Sequence, residues 1–189
     1  MTGVILFRAQ PFHNGHLAQI KRALVEAMDY GFKLYVFVGS ADKSGTKRNP
    51  IPIDVRLDLI KNSLEGELAA RALRYIEVIP LDDFSDEANN THSWGAYFYH
   101  AMCKHTDDTD FIFYYSDKPE IALSWFGDNE REHIYFKFLP RVEDDISATQ
   151  IRALLASYEE VDKFYLKRYL PLYVYQASSM LHNYIINAR

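Results

Sequence analysis

The chain has 189 residues, of which 48% are hydrophobic and 25% are charged. This composition is typical of one soluble globular domain with an ordinary core, and it excludes a disordered tail and a fibrous repeat. The net charge of −5 lacks the broad basic field that a nucleic-acid polymer requires, so a small anionic ligand held by a few clustered cations is favoured. The single cysteine, Cys103, excludes an intrachain disulfide.

Short apolar segments alternate with helical patterns along the chain. Strands are predicted at residues 3–7, 34–38, 75–79, 111–115 and 134–139. Helices are predicted from about residue 15 to Gly31, from residue 53, at 93–105 and from residue 147. Continuously apolar strands indicate a sheet buried on both faces, and their alternation with helices indicates parallel crossovers. The predicted fold is a doubly wound α/β fold with a parallel sheet and a helical C-terminal segment.

The segment after the first strand carries two histidines. Residues 8–16 read Arg-Ala-Gln-Pro-Phe-His-Asn-Gly-His, and ligands of doubly wound sheets bind just beyond such strand ends. A helix that begins here directs its free N–H groups outward, so His13 and His16 can face the same phosphate and donate to it as charge develops. The alternative is a plain turn in which Asn14 caps the helix and both histidines lie on the surface.

A second motif follows the last strand. Residues 146–152 read Ile-Ser-Ala-Thr-Gln-Ile-Arg. Ser147 and Gln150 have the spacing of a capping box in front of an apolar helical run. A capping box explains neither Thr149 nor Arg152, and a capped N-terminus still offers N–H groups to phosphate.

Together the two motifs resemble the HxGH and ISxTxIR signatures of the nucleotidylyltransferase superfamily. The chain is most similar to the nicotinamide mononucleotide (NMN) adenylyltransferases of archaeal type and to the corresponding domains of bacterial enzymes fused to Nudix domains. The resemblance covers residues 3 to about 156. It implies a Rossmann-like nucleotidyltransferase domain at 1–156, with 157–189 as a C-terminal helical segment of the same domain. It also implies catalytic roles for His13, His16 and Arg152.

The resemblance further implies which residues contact each substrate. For ATP they are Arg8, Gln10, Gly15, Gly39, Ser40, Lys43, Arg141, Ile146, Ser147 and Thr149. For NMN they are Phe12, Arg56, Trp94 and one of the neighbouring asparagines Asn89 and Asn90, with Asn90 preferred. The face of an indole suits a flat, partly cationic nicotinamide ring, although core packing at the start of a helix is a competing interpretation for Trp94. Residues 116–119 resemble the family's turn after the fourth strand, and a helix cap by Ser116 or Asp117 is the alternative there.

The activity implied by the resemblance is transfer of AMP from ATP to NMN, which gives NAD and pyrophosphate. The attacking group is a phosphate that is already deprotonated, so catalysis requires in-line positioning and charge stabilisation but no general base. Mg²⁺ is expected to bridge phosphate oxygens and to keep several waters, with no metal site built by the protein itself. The alternatives are a nucleotidyltransferase that uses nicotinate mononucleotide, another phosphorylated acceptor or CTP, and a non-catalytic nucleotide-sensing protein.

The remaining expectations concern partners and location. No stretch approaches the roughly 18 apolar residues of a membrane span, and the N-terminus lacks a signal-peptide pattern. We therefore expect a cytoplasmic protein that binds ATP and NMN, has no nucleic-acid or membrane partner and forms a homo-oligomer. The tyrosine-rich segment at 157–189 is predicted to pack against the core or a neighbouring subunit.

Overall fold

The computed structural model describes residues 1–84, 92–116, 119–141 and 146–189. Within them lie the strands β1 (Thr2–Phe7), β2 (Leu34–Val38), β3 (Ile76–Pro80), β4 (Phe111–Tyr115) and β5 (Ile134–Phe138). They form one sheet in the order β3-β2-β1-β4-β5, and every neighbouring pair is parallel. The predicted doubly wound parallel sheet is confirmed, and the strand order reverses between β1 and β4.

Helices cover both faces of this sheet. They are α1 (Asn14–Tyr30), α2 (Ile53–Glu67), α3 (Ala70–Leu73), α4 (His92–Cys103), α5 (Pro119–Ser124), α6 (Asp128–Arg131), α7 (Ala148–Ser157), α8 (Glu160–Tyr169), α9 (Leu172–Gln176) and α10 (Ser178–Ile186). Gly31 ends α1 with a φ of 73°, the left-handed conformation expected of a glycine C-cap. Short α3, α5 and α6 were not predicted, because four to six residues carry too little periodicity.

Two hydrophobic clusters form because alternate side chains of a strand point to opposite faces of the sheet. Ile5 belongs to the cluster that packs on α1, α2 and α7, whereas its neighbour Val4 belongs to the cluster on the α4 side. The second cluster is mainly aromatic, and Phe37 meets Phe98 of α4 edge to face with ring centroids 5.3 Å apart. Much of the 15% aromatic content is therefore used to fill one face of the sheet.

The C-terminal segment is helical, as predicted, and packs on the first cluster. Leu166, Val174 and Leu181 are its fully buried anchors, and several of its tyrosines pack partly buried around them. Tyr158 stacks on His182 with ring centroids 5.0 Å apart, which ties the end of α7 to α10. Among the residues described, no helix is both long and apolar enough to cross a membrane.

Candidate active site

The turn between β1 and α1 brings the two motif histidines together beside the reversal of strand order. His13 is the N-cap of α1, and its Nδ1 accepts a hydrogen bond from the N–H of Gly15 at 3.1 Å. His16 lies in the first turn of the helix, with its ring centroid 3.8 Å from that of His13. The alternative in which Asn14 caps the helix is wrong, because the imidazole of His13 already satisfies the helix end.

Both histidines are held neutral. Burial and, to a smaller extent, the positive charge of Arg141 together lower the pKa of His13 to about 4. Burial, the neighbouring His13 and Arg141 together place the pKa of His16 well below its ordinary value. Because Nδ1 of His13 accepts a hydrogen bond, the proton of its neutral ring lies on Nε2, which is then a donor. Nδ1 of His16 is buried without a hydrogen-bond partner in the part of the chain that the structure describes.

A cavity of about 350 Å³ opens in front of these histidines. Its wall includes the predicted residues Arg8, Gln10, His13, Gly15, His16, Arg141, Ser147, Thr149 and Arg152. It also includes residues that the sequence reasoning did not assign to a substrate, chiefly Gln19, Arg22, Arg48 and Ser116. The described part of the wall thus carries five arginines and no carboxylate, which is a suitable environment for phosphate groups.

The N-terminus of α7 forms the wall of the cavity that carries Ser147 and Thr149. The predicted capping box is present, since Oγ of Ser147 accepts from the N–H of Gln150 at 3.2 Å and Oε1 of Gln150 accepts from the N–H of Ser147 at 3.0 Å. The positive end of this helix dipole favours an anion in the cavity.

Arg152 joins α7 to the histidine turn. Its Nη1 donates to the carbonyl of Gln10 at 2.8 Å, and its Nη2 donates to Oγ1 of Thr149 at 3.1 Å. Burial lowers the pKa of Arg152 from its usual value, although an arginine remains protonated near neutral pH. The guanidinium is therefore held in a fixed orientation at the cavity wall.

Gln10 reaches the wall, but its carboxamide is turned towards the loop after β2. Nε2 donates to the carbonyl of Ile51 at 3.0 Å, and the N–H of Ile51 donates to Oε1 at 2.9 Å. The side chain is buried and both ends of the amide are engaged. In this structure the side chain joins the two loops, and its contact with ATP stays a prediction.

The loop after β2 contributes one cation to the described wall of the cavity, and the predicted ATP contacts of this loop stay predictions. Arg48 lines the cavity, whereas the predicted ATP contacts Gly39, Ser40 and Lys43 lie outside the described lining, as does Ile146. Oγ of Ser40 donates to Asp83 at 2.9 Å, and Lys43 forms an ion pair with Asp42 at 3.3 Å.

Three of the predicted NMN contacts are buried. Phe12 and Arg56 have no exposed surface, and their contact with NMN stays a prediction. Phe12 instead stacks beneath His16, with the ring planes 13° apart. Trp94 is 7% exposed in the aromatic cluster and meets Trp125 at 5.0 Å, which agrees with the competing interpretation of core packing; its role towards nicotinamide stays a prediction. Asn89, Asn90, Asp117 and Lys118 lie outside the described residues.

Comparison with known proteins places the chain in a family. The family model described as cytidylyltransferase-like matches residues 8–154, a range that runs from Arg8 through both motifs. The chain therefore belongs to the cytidylyltransferase-like family.

Curated relatives are similar to parts of the chain. The nicotinamide-nucleotide adenylyltransferase of Ignicoccus hospitalis is 42% identical over 76 residues, which cover 40% of this chain and 41% of that protein. The enzyme of the same name from Haloarcula marismortui is 31% identical over 123 residues, which cover 65% of this chain and 55% of that protein. The matched segments thus span between about two fifths and just over half of these relatives.

Solved structures share the fold. A bifunctional NMN adenylyltransferase/ADP ribose pyrophosphatase from Francisella tularensis superposes with a TM-score of 0.72 at 17% identity, covering 98% of this chain and 53% of that one. A nicotinic acid mononucleotide adenylyltransferase from Plasmodium falciparum superposes with a TM-score of 0.59 at 12% identity, covering 97% of each chain. These likenesses confirm the Rossmann-like fold.

Proposed function

We propose that the protein is a nicotinamide-nucleotide adenylyltransferase, which transfers AMP from ATP to NMN and releases pyrophosphate. The observation that carries this proposal is the pair of neutral histidines at the start of α1, 3.8 Å apart and facing a cavity lined by five arginines. The names of the curated relatives support the choice of NMN as the acceptor.

The reaction is a displacement at the α-phosphorus of ATP. An oxygen of the NMN phosphate forms the new P–O bond, while the bond to the bridging oxygen breaks and its electrons leave with pyrophosphate. The attacking oxygen is already deprotonated near neutral pH, so no proton has to be removed. The protein has to align the two phosphates and to stabilise the charge that builds up between them.

Each motif residue has a part in this displacement. Neutral His13 and His16 would each donate one N–H to the oxygens around the α-phosphorus, where donors in fixed positions are most effective. Arg152 and the N-terminus of α7 would hold the departing pyrophosphate, and the two bonds that orient Arg152 prepare its guanidinium for that task. A bound triphosphate would also favour protonation of the histidines, because an opposite charge raises the pKa of an imidazole.

A divalent cation, which we propose to be Mg²⁺, would accompany ATP. Among the described residues there is no group of His, Cys, Asp or Glu able to hold a metal ion, and the charged residues in the described part of the wall are all arginines. We expect the phosphate oxygens of ATP to hold the cation, whose charge would offset part of the charge on the leaving pyrophosphate. The cytoplasmic location and the homo-oligomer remain predictions.

A single assay tests the activity. Purified protein is incubated with ATP, Mg²⁺ and one of NMN, nicotinate mononucleotide or no acceptor, with CTP in place of ATP in a parallel series. Chromatography measures the dinucleotide and a coupled assay measures pyrophosphate. We expect NAD and pyrophosphate in equal amounts from ATP and NMN. Saturable ATP binding without either product would favour the nucleotide-sensing alternative.

A further inference from the structure

Arg56 is a buried cation that binds the backbone at two strand ends. It lies in the first turn of α2 and has no exposed surface. Nη1 donates to the carbonyls of Arg8 and Gly39, and Nη2 donates to the carbonyl of Ser40, each at 2.8 Å. The hydrogen bonds of one guanidinium group therefore link the segment after β1 to the segment after β2.

The two segments share an unfavourable backbone conformation. Ala9 and Ser40 both have a φ of 52°, a left-handed conformation that residues other than glycine adopt rarely. Ala9 directly follows one carbonyl that Arg56 binds, and Ser40 directly follows another. The hydrogen bonds from Arg56 thus compensate for the two turns that begin the ligand-binding loops.

Those turns control where two cations of the cavity lie. Arg8 stands at the first turn, and the second turn leads into the loop that carries Arg48. The pKa of Arg8 is lowered by burial and by the charges of Arg48 and Arg152, so these cations repel one another when no ligand is bound. A rigid backbone is needed to hold them at one wall of the cavity.

The charge of Arg56 itself is retained behind that wall. Burial lowers its pKa to about 10, with Asp83 opposing the shift, so the group stays protonated near neutral pH. Its hydrogen-bond partners are neutral carbonyls, which orient the guanidinium without cancelling its charge.

We propose that Arg56 is a positioning residue, which sets the affinity of the cavity for phosphate-bearing substrates by holding the Arg8 and Arg48 segments in register. The proposal rests on the proposed function for the identity of the substrates. In this proposal Arg56 affects substrate binding through the backbone that it holds, and not through a direct contact with NMN. Because Arg8 and Arg48 would hold phosphate before and during the reaction alike, the effect should appear in KM more than in kcat.

The test compares Arg56→Lys with two controls in the full chain. Lysine keeps the charge but cannot reproduce the planar fork that reaches three carbonyls. Ile60→Val, one turn further along α2 and fully buried, controls for lost stability, and Arg71→Lys, exposed on α3, controls for the chemical change. Assays are run well below every unfolding temperature. We expect Arg56→Lys to raise KM about tenfold or more with kcat changed by less than about threefold, and both controls to match the wild type.

A KM in Arg56→Lys within about twofold of that in Ile60→Val would overturn the proposal. If Arg56→Lys does not fold, Ser40→Thr replaces it: threonine keeps the hydroxyl for Asp83, and its branched side chain resists the left-handed turn. An unchanged KM in that variant would be equally decisive against the proposal.

If the wild type forms no dinucleotide, the proposed function fails, and calorimetric ATP binding by Arg56→Lys and Ile60→Val then decides the role of Arg56.

Discussion

His13 should make the stability of the fold depend on pH in a measurable way. Its pKa is 6.5 in an unfolded chain and about 4 in the folded protein, so between these values the unfolded chain binds more protons. The stability contributed by the neutral ring is present above pH 6.5 and is lost progressively as the pH falls from 6.5 through 4. At 1.36 kcal/mol per pKa unit, the shift of roughly 2.5 units corresponds to about 3 kcal/mol, of which about 2 kcal/mol is lost between pH 7 and pH 4.5.

The matched variant is His13→Asn, because asparagine offers a side-chain oxygen to the N–H of Gly15 and has no titratable group. Urea unfolding followed by tryptophan fluorescence gives the free energy of unfolding of wild type and variant at pH 7, 6, 5 and 4.5. We expect the variant to lose about 2 kcal/mol less than the wild type over this range. If the free energies of unfolding of wild type and His13→Asn fell equally with pH, the assignment of a buried neutral imidazole would be refuted.

Three further predictions follow from the site. His16→Ala should fold as the wild type does and lose about 100-fold or more in kcat, since a positioned donor is removed; wild-type turnover in a steady-state assay would contradict the mechanism. Ser147→Ala should lower the free energy of unfolding by about 1 kcal/mol in urea, because the α7 cap is lost, and an unchanged midpoint would count against the cap. Trp94→Phe should raise KM for NMN more than KM for ATP if the indole stacks on nicotinamide, and equal KM changes would assign Trp94 to the core.

The architecture could be predicted from the sequence because its signal is repeated along the chain. β2 and β4 coincide with continuous apolar runs of the sequence. The right-handed crossovers that link parallel strands then leave few possible topologies. The elements that the sequence did not predict are short helices. The helices α3, α5 and α6 form because the chain must turn between longer elements, and no periodic pattern records that requirement.

The site could be predicted only in part, because the sequence does not say which way a polar side chain turns after a strand. His13, His16 and Arg152 reach the cavity as expected, since the ends of parallel strands meet at one edge of the sheet. Arg56 turns inward, where it binds carbonyls, and nothing in its local sequence distinguishes that from contact with a substrate. Arg22 was missed although it lies seven residues after Gly15, on the same face of α1.

The way in which arginines are held explains how an acidic chain can have a basic cavity. Arg22 donates to the carbonyl of Pro140 at 2.6 Å and Arg152 to that of Gln10 at 2.8 Å, and Arg56 binds three carbonyls behind the wall. A carboxylate partner would orient each guanidinium but also cancel its charge, whereas a carbonyl orients it and leaves a full positive charge for the ligand. Carboxylates pair with lysines elsewhere, as in the exposed Lys21–Glu67 ion pair. The net charge of −5 is therefore compatible with a strongly basic cavity. Hydrogen bonds to carbonyls keep the arginines of the cavity apart from the carboxylates, which pair with cations elsewhere.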